Sequence, residues 1–350
     1  MARLIIPKPI SGGIFLTYKC TSECRHCMYA CSPKWRSDWI NLRDAEIVLR
    51  VLSAAFKRRY PKGFSRVGVN LGLHFTGGEP FLNFNLLLEL VKLASKYEIP
   101  SIFIETNCFW CVNDRITEEK FIKLREAGLN GVLISANPFV IENIPFERIE
   151  RAVNISRRIF QENTIVYQEL FYAQMKAIGL KGTLPFEDYL RIMRERDPTG
   201  LHLGLSYPSM LLMGRIPYRV GYLYKKYPAR EFFNESCLGE LTRDWHIHVD
   251  NYCNYISGYC AGISLGDARD LESLCREGIN LNDHPVIERL VSPKGIGKLF
   301  EYAFREYGYR ERKEGYISKC HLCLDIRRHI IEQNEELKEL KPKDFYKYLD

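Results

Sequence analysis

Over the first two hundred residues, short apolar runs alternate with amphipathic stretches. Residues 13–18, 67–75, 101–106, 131–136, 164–171 and 201–212 are rich in Ile, Val, Leu and Phe, and in places are continuously apolar. Strands covered on both faces read this way. Between them the period lengthens. Residues 42–57 place Ile47, Val48, Val51, Leu52, Ala55 and Phe56 on one stripe, with Asn41 at the N-cap position. Further helical patterns run over 86–96, 117–127, 146–160 and 186–196. Thr117 precedes two acids in a first turn, and Gly128 stands where a left-handed C-terminal residue belongs. Six strand–helix units predict an α/β fold with a parallel sheet and helices outside. Six is short of the eight of a closed barrel, so the prediction is an open, partial (β/α)6 TIM barrel.

After residue 216 the pattern changes. Gly, Pro and Tyr are dense over 214–228, residues 246–256 read as two short strands around a turn at 250–254, and helical stretches follow near 285–290, 297–307 and 320–340. The expected division is a barrel over 1–215, a smaller domain over 216–340 and a charged tail over 341–350.

Length agrees with this division, since 350 residues at roughly 150 per domain make about two domains. With 46% apolar and 27% charged residues the chain is neither disordered nor fibrous. It has no apolar run of the ~20 residues a membrane span needs, and no secretory stretch at its start, so no membrane partner and a cytoplasmic location are expected. The net charge of +7 is interspersed with acids rather than stacked in blocks, which argues against nucleic acid as a partner.

The 12 cysteines change the picture more. In a reducing compartment they point to metal or redox chemistry rather than disulfides. Cys20, Cys24 and Cys27 have the spacing C-x3-C-x2-C directly after the first predicted strand. Ligands of parallel α/β folds bind at the C-terminal strand ends, so this loop is well placed. Three thiolates on one loop suit three corners of a [4Fe–4S] cluster, leaving one iron open. A structural zinc site completed by Cys31 is the alternative.

The motifs together resemble the radical SAM superfamily. Its signature is C-x3-C-x2-C after the first strand of a partial barrel. Gly77-Gly78-Glu79-Pro80, at the end of the second strand, resembles its GGE motif. Glu105-Thr106-Asn107 ends the third strand, Ser135-Ala136-Asn137 the fourth, and Met213-Gly214-Arg215 resembles a Gly-Arg element of one branch. The resemblance implies that the open iron held by Cys20, Cys24 and Cys27 chelates S-adenosylmethionine. Gly77, Gly78, Glu79 and Pro80 would approach its methionine moiety, Asn107 and Ser135 would bond its ribose or carboxylate, and His26 would lie beside the adenine. It implies reductive cleavage to a 5′-deoxyadenosyl radical that abstracts a hydrogen atom from substrate, with a flavodoxin or ferredoxin as electron donor. No residue stands out as the catalytic base.

Cys237, Cys260 and the C-x2-C pair Cys320 and Cys323 resemble the Twitch domain, the shorter relative of the SPASM domain, and imply an auxiliary [4Fe–4S] cluster. A full SPASM run would have cysteines where His329 and Gln333 stand. Cys253 and Cys275 are spare. A net oxidation or cross-link assisted by the auxiliary cluster is the expected outcome. Only 19 residues precede Cys20, so the ~80-residue peptide-recognition domain of peptide-modifying relatives is not expected. The expected substrate is a small molecule, or a peptide delivered by another protein. The rivals are a SPASM enzyme with two auxiliary clusters acting on a peptide or protein, and a non-catalytic zinc or Fe–S protein.

Other residues invite bland readings. Cys108 and Cys111 follow a strand end, where packing is expected over redox pairing. His246 and His248 share a strand face and read as a satisfied polar pair. Tyr207, Tyr218, Tyr222 and Tyr224 lie near the expected barrel mouth, as core edge or pocket wall.

Overall fold

The computed structural model describes residues 2–62, 64–333 and 337–350. Among the described residues nine strands form: β1 (Arg3–Leu4), β2 (Ser11–Phe15), β3 (Gly72–Thr76), β4 (Ile102–Thr106), β5 (Gly131–Ser135), β6 (Thr164–Tyr167), β7 (Ile247–Val249), β8 (Tyr255–Ile256) and β9 (Ile279–Asn280). Seven of them make one sheet in the order β6-β5-β4-β3-β2-β7-β8. Every pair from β6 through β7 is parallel, and only β8 returns antiparallel. All residues of β2 and β3 are buried, which is why neither strand alternates apolar with charged positions. β1 and β9 form a separate antiparallel pair.

Helices α1 (Leu42–Arg59), α2 (Phe84–Lys96), α3 (Asp114–Glu126) and α4 (Phe146–Phe160) follow β2 to β5 in turn. Asn41 caps α1 by accepting from the Asp44 amide at 2.8 Å, and Val48, Leu52 and Phe56 carry its buried stripe. This is the alternation the apolar pattern predicts, an α/β partial barrel open at one side. Among the described residues no helix is long and apolar enough to cross a membrane.

Three predicted strands need correction. Residues 67–75 contain a turn, and the strand begins only at Gly72. Residues 164–171 stop as a strand at Tyr167, because α5 (Glu169–Ala177) starts there. Residues 201–212 are not a strand. The helical pattern α6 (Phe186–Arg196) is followed at once by α7 (Pro198–Leu205), whose start is set by Asp197 accepting from the Gly200 amide at 2.9 Å and by Pro198 in the first turn. The sixth parallel strand is instead β7, the first arm of the predicted hairpin. It docks on the free edge of β2 with Gly12 opposite Ile247 and Gly13 opposite His248. The sheet therefore runs across residue 215. Beyond the hairpin, the helix Gly295–Tyr307 packs on the closing helix Lys319–Gln333.

Candidate functional site

The chain leaves β2 at the C-terminal end of the sheet and enters the cysteine loop. Cys20 and Cys24 are buried and Cys27 is half-buried. The loop is tied internally by the Cys27 amide donating to the Cys24 carbonyl at 3.1 Å and the Cys20 amide to the Ser32 carbonyl at 3.1 Å. The next strand end clamps it. The Gly78 amide donates to the Thr17 carbonyl at 2.8 Å and the Glu79 amide to the Lys19 carbonyl at 3.1 Å. A Cβ on Gly78 would stand 1.9 Å from the Lys19 carbonyl oxygen, so glycine is required for the loop to lie against the strand. We expect Gly78→Ala to destabilise the protein by about 2–4 kcal/mol, since both partners are backbone, as read from denaturant unfolding.

Arg215 secures the loop from the other side. Its side chain is fully buried. Nη1 donates to the Cys24 carbonyl at 3.3 Å and the Cys31 carbonyl at 2.8 Å, Nη2 to Ala30 at 2.7 Å, and Nε to Tyr348 at 2.7 Å. Its own amide donates to the Cys27 carbonyl. The guanidinium thus replaces water for the loop's inward carbonyls.

A cavity of about 280 Å³ opens over the three cysteines. Cys20, Cys24, Cys27, His26, Gly77, Gly78, Asn107 and Ser135 all line it. Asn107 donates to Thr21 Oγ1 at 3.0 Å and lies 3.6 Å from Cys20 Sγ. His26 stacks on Phe139 at 5.0 Å, faces the Asn137 amide with Nε2 at 3.3 Å, and leaves Nδ1 buried without a partner. Burial, with Arg215 nearby, lowers His26 to about 4, so the ring is neutral.

Glu79 and Pro80 are brought to the site but not to the cavity wall. Glu79 is buried beneath the strand ends, accepting from the Phe81 amide at 3.1 Å, Thr106 Oγ1 at 3.0 Å and the Asn107 amide at 2.8 Å. It therefore positions Asn107. Burial raises its pKa from 4.5 to about 7. The folded state then binds more protons than the unfolded chain between these values, so stability falls as pH rises through that window. The shift corresponds to about 3 kcal/mol. Glu79→Gln should make the fall in stability between pH 5 and 8 shallower, leaving the part due to Glu105 and Asp250, which burial also raises, as measured by urea titration at several pH values.

The thiols fit a metal group. Burial, then Glu79 and Cys27, push Cys20 up to about 12, and burial with the neighbouring Cys20 and Cys27 raises Cys24. Cys27 is lowered to about 6 by the hydrogen bond from Cys31, with Arg215 assisting against burial. Crowded, buried thiols of this kind reach the thiolate form when a cation takes their charge. Cys31 holds the Cys27 thiol, its amide lying 3.3 Å from Cys27 Sγ, and it also lines the cavity.

Cys237, Cys260, Cys320 and Cys323 meet around a second, smaller cavity of about 50 Å³ with Glu240, Lys319 and Arg327. Burial and mutual repulsion push Cys260 and Cys320 up to about 12, and Cys237 higher. Met213 and Gly214 line this cavity, while the next residue, Arg215, ties down the first loop, so one short segment separates the two cysteine groups. Cys253 and Cys275 stand elsewhere, Cys275 with its thiol 3.6 Å from the Pro7 carbonyl.

Cys108 and Cys111 are buried and line neither cavity. Trp110 between them stacks on Phe81 at 4.0 Å and donates to Thr106 Oγ1 at 3.0 Å, which is packing behind the strand ends. Tyr207 and Tyr222 are 76% and 59% exposed, and neither they nor Tyr218 and Tyr224 line the cavity. The tyrosines that do are Tyr29, Tyr167 and Tyr259. Sequence reasoning missed these, and also Gln168, because a strand end and two loops bring them in from three distant stretches. His74 was missed too, since a lone His inside an apolar run reads as core.

Residues 14–168 match the family model described as the radical SAM superfamily. That stretch, from β2 to just past β6, is a radical SAM domain match. A domain of that family implies S-adenosylmethionine and a [4Fe–4S] cluster as cofactors. A curated relative, the putative peptide biosynthesis protein YydG of Bacillus subtilis (strain 168), is 23% identical over 146 residues, 42% of this chain and 41% of the relative. The chain thus matches about two-fifths of that relative's length. Solved structures with similar folds include BtrN in complex with AdoMet and 2-DOIA, at 13% identity, covering 83% of this chain and 89% of that one with a TM-score of 0.45. Native anSMEcpe with bound AdoMet and the Kp18Cys peptide is 12% identical, covering 93% and 98%, with a TM-score of 0.45.

Proposed function

We propose that this radical SAM enzyme oxidises or cross-links a residue of a peptide, with Cys20, Cys24 and Cys27 holding the catalytic cluster and Cys237, Cys260, Cys320 and Cys323 an auxiliary one. The observation that carries this reading is the common wall: the three loop cysteines, Gly77, Gly78, Asn107, Ser135 and His26 all face one cavity at the strand ends. The bound cofactors would supply a 5′-deoxyadenosyl radical, the oxidant for a substrate C–H bond.

The chain's own residues then have distinct tasks. Gly77 and Gly78, with no Cβ to meet Thr17 and Lys19, let their backbone lie against the cysteine loop beside the space where a methionine group would lie. Asn107, held by Glu79, offers its amide beside Cys20, and Ser135 offers a hydroxyl at the end of β5. The neutral His26, with its unpartnered Nδ1, suits a flat ring seated beside it. Tyr29, Tyr167 and Tyr259 enclose the remaining space and keep water from the reacting carbon.

Four cysteines around the second cavity would leave an iron–sulfur cluster no open iron, which suits electron transfer rather than substrate binding. Arg327 and Lys319 beside it would offset the charge of its thiolates. A 216–340 unit of Twitch type, fed by a flavodoxin or ferredoxin donor, follows from this reading. The name of the Bacillus relative supports a peptide substrate. Anaerobically reconstituted protein, supplied with dithionite and S-adenosylmethionine, should release 5′-deoxyadenosine and carry about eight irons per chain. Deuterium from the Cα or side-chain positions of the correct peptide should appear in that product. Zinc in place of iron, or no cleavage from fully loaded protein, would refute the reading.

A further inference from the structure

Three histidines meet inside the barrel, beside the large cavity. His74 on β3 and His248 on β7 both lie opposite Gly13 of the intervening β2. The residue between them has no side chain, so the two imidazoles reach one another across it, Nε2 to Nε2 at 3.1 Å. A Cβ on Gly13 would stand 2.3 Å from His74 Nε2. His246, two residues before His248, completes the group. All three are buried, and one ring nitrogen from each lies within 4.8 Å of the others.

Two of the three outer nitrogens are already engaged. His246 Nδ1 lies 2.6 Å from the Val69 carbonyl and must donate to it, leaving Nε2 bare. His248 Nδ1 faces the Tyr29 hydroxyl at 2.8 Å and the Gly258 carbonyl at 3.3 Å. With the Tyr29 proton on Gly258, His248 Nδ1 donates to the Tyr29 oxygen and its Nε2 accepts from His74 Nε2, a proton that an ion between the two rings would displace. Metal-binding histidines are held in this way, one nitrogen donating to a carbonyl or hydroxyl and the other free for the ion. His74 has no partner at Nδ1. An acid stands at the edge: Glu105 Oε1 is 3.7 Å from His74 Nε2, while its Oε2 accepts from Thr76 Oγ1 at 2.6 Å.

We propose that His74, His246 and His248 form a binding site for a divalent first-row metal ion of the zinc type, with Glu105 compensating its charge and the open position turned to the substrate cavity. Two nitrogens on a tetrahedral zinc, each about 2.0–2.1 Å away, stand about 3.3 Å apart, close to the spacing of His74 and His248. Imidazole donors without thiolate select zinc, nickel or copper over the iron–sulfur chemistry of the cysteines. His246, His248 and Glu105 all line the large cavity, so an ion here would present its vacant position to the same space as the cysteine loop. The ligand class for that position is an oxygen or nitrogen donor of the substrate, such as a carbonyl or carboxylate.

The test uses the anaerobically reconstituted holoenzyme, given one equivalent of zinc chloride and then desalted. We expect about one zinc retained per chain, with X-ray absorption at the zinc edge showing only nitrogen or oxygen neighbours at about 2.0–2.1 Å. His246→Gln and His248→Gln should each lower zinc retention at least tenfold at unchanged iron content. Loss of zinc from the wild-type protein on desalting, a sulfur shell at about 2.3 Å, or unchanged retention in both variants at full iron content would overturn the proposal. The wild-type absorption spectrum decides the matter even if a variant folds poorly.

Discussion

Cys24→Ala is expected to abolish cleavage of S-adenosylmethionine while leaving one cluster in the protein. Cys24 is buried within the loop that follows β2, and no spare cysteine stands where it could take over except Cys31. Cys31 already serves Cys27, with its amide 3.3 Å from that sulfur. Iron should fall from about eight to about four atoms per chain, the count of one [4Fe–4S] group. The remaining signal in electron paramagnetic resonance should be that of the group at Cys237, Cys260, Cys320 and Cys323. Those four cysteines lie around a separate cavity, beyond the 213–215 segment, so losing the first group does not remove any of their wall. A Cys24→Ala protein with no iron at all would show the second cavity to be something else.

The second large effect is expected at Arg215, far from the cysteines in sequence. Its guanidinium serves four backbone carbonyls, three of them in the cysteine loop, from a fully buried position. Arg215→Ala strands these acceptors without water. Each buried unsatisfied group costs about 1–3 kcal/mol, and such losses in one network are not additive, so a total of about 3–5 kcal/mol is expected. Arg215→Lys should rescue little of it, because an ammonium lacks the planar fork that reaches Ala30, Cys31 and Tyr348 together. Denaturant unfolding of the two variants reads this directly. Iron incorporated into the first group should fall in both, since the loop loses its inner support.

Much of this architecture was legible in the residues. The buried strands β2 to β5 announce themselves by unbroken apolar runs, and Asn41 and Gly128 mark helix ends by ordinary cap chemistry. The spacing of Cys20, Cys24 and Cys27, followed by Gly77-Gly78-Glu79 at the next strand end, located the cavity. What could not be read was long-range pairing. A three-residue strand such as β7 has too little sequence to declare its partner, so its place beside β2 emerged only in the fold. The run at 201–212 misled because Pro198 after Asp197 starts a helix whose glycines, not side chains, meet α5: a Cβ on Gly204 would stand 2.5 Å from Phe171. Glu79 illustrates a different limit. Its motif position was evident, but whether the carboxylate faced a ligand or the protein depended on Thr106 and Asn107, which approach from another strand. His74 carried no signal in isolation; only its register with Gly13 and His248 gives it meaning.

The account rests on the cysteine loop leaving one iron free to grip the amino acid end of S-adenosylmethionine. Hyperfine spectroscopy of the dithionite-reduced Cys237→Ala/Cys260→Ala protein, which would carry only the first cluster, tests this most directly. With S-adenosylmethionine labelled by ¹⁵N at the amino group and ¹⁷O at the carboxylate, both nuclei should couple to the cluster spin. A fully iron-loaded cluster with neither coupling would contradict it.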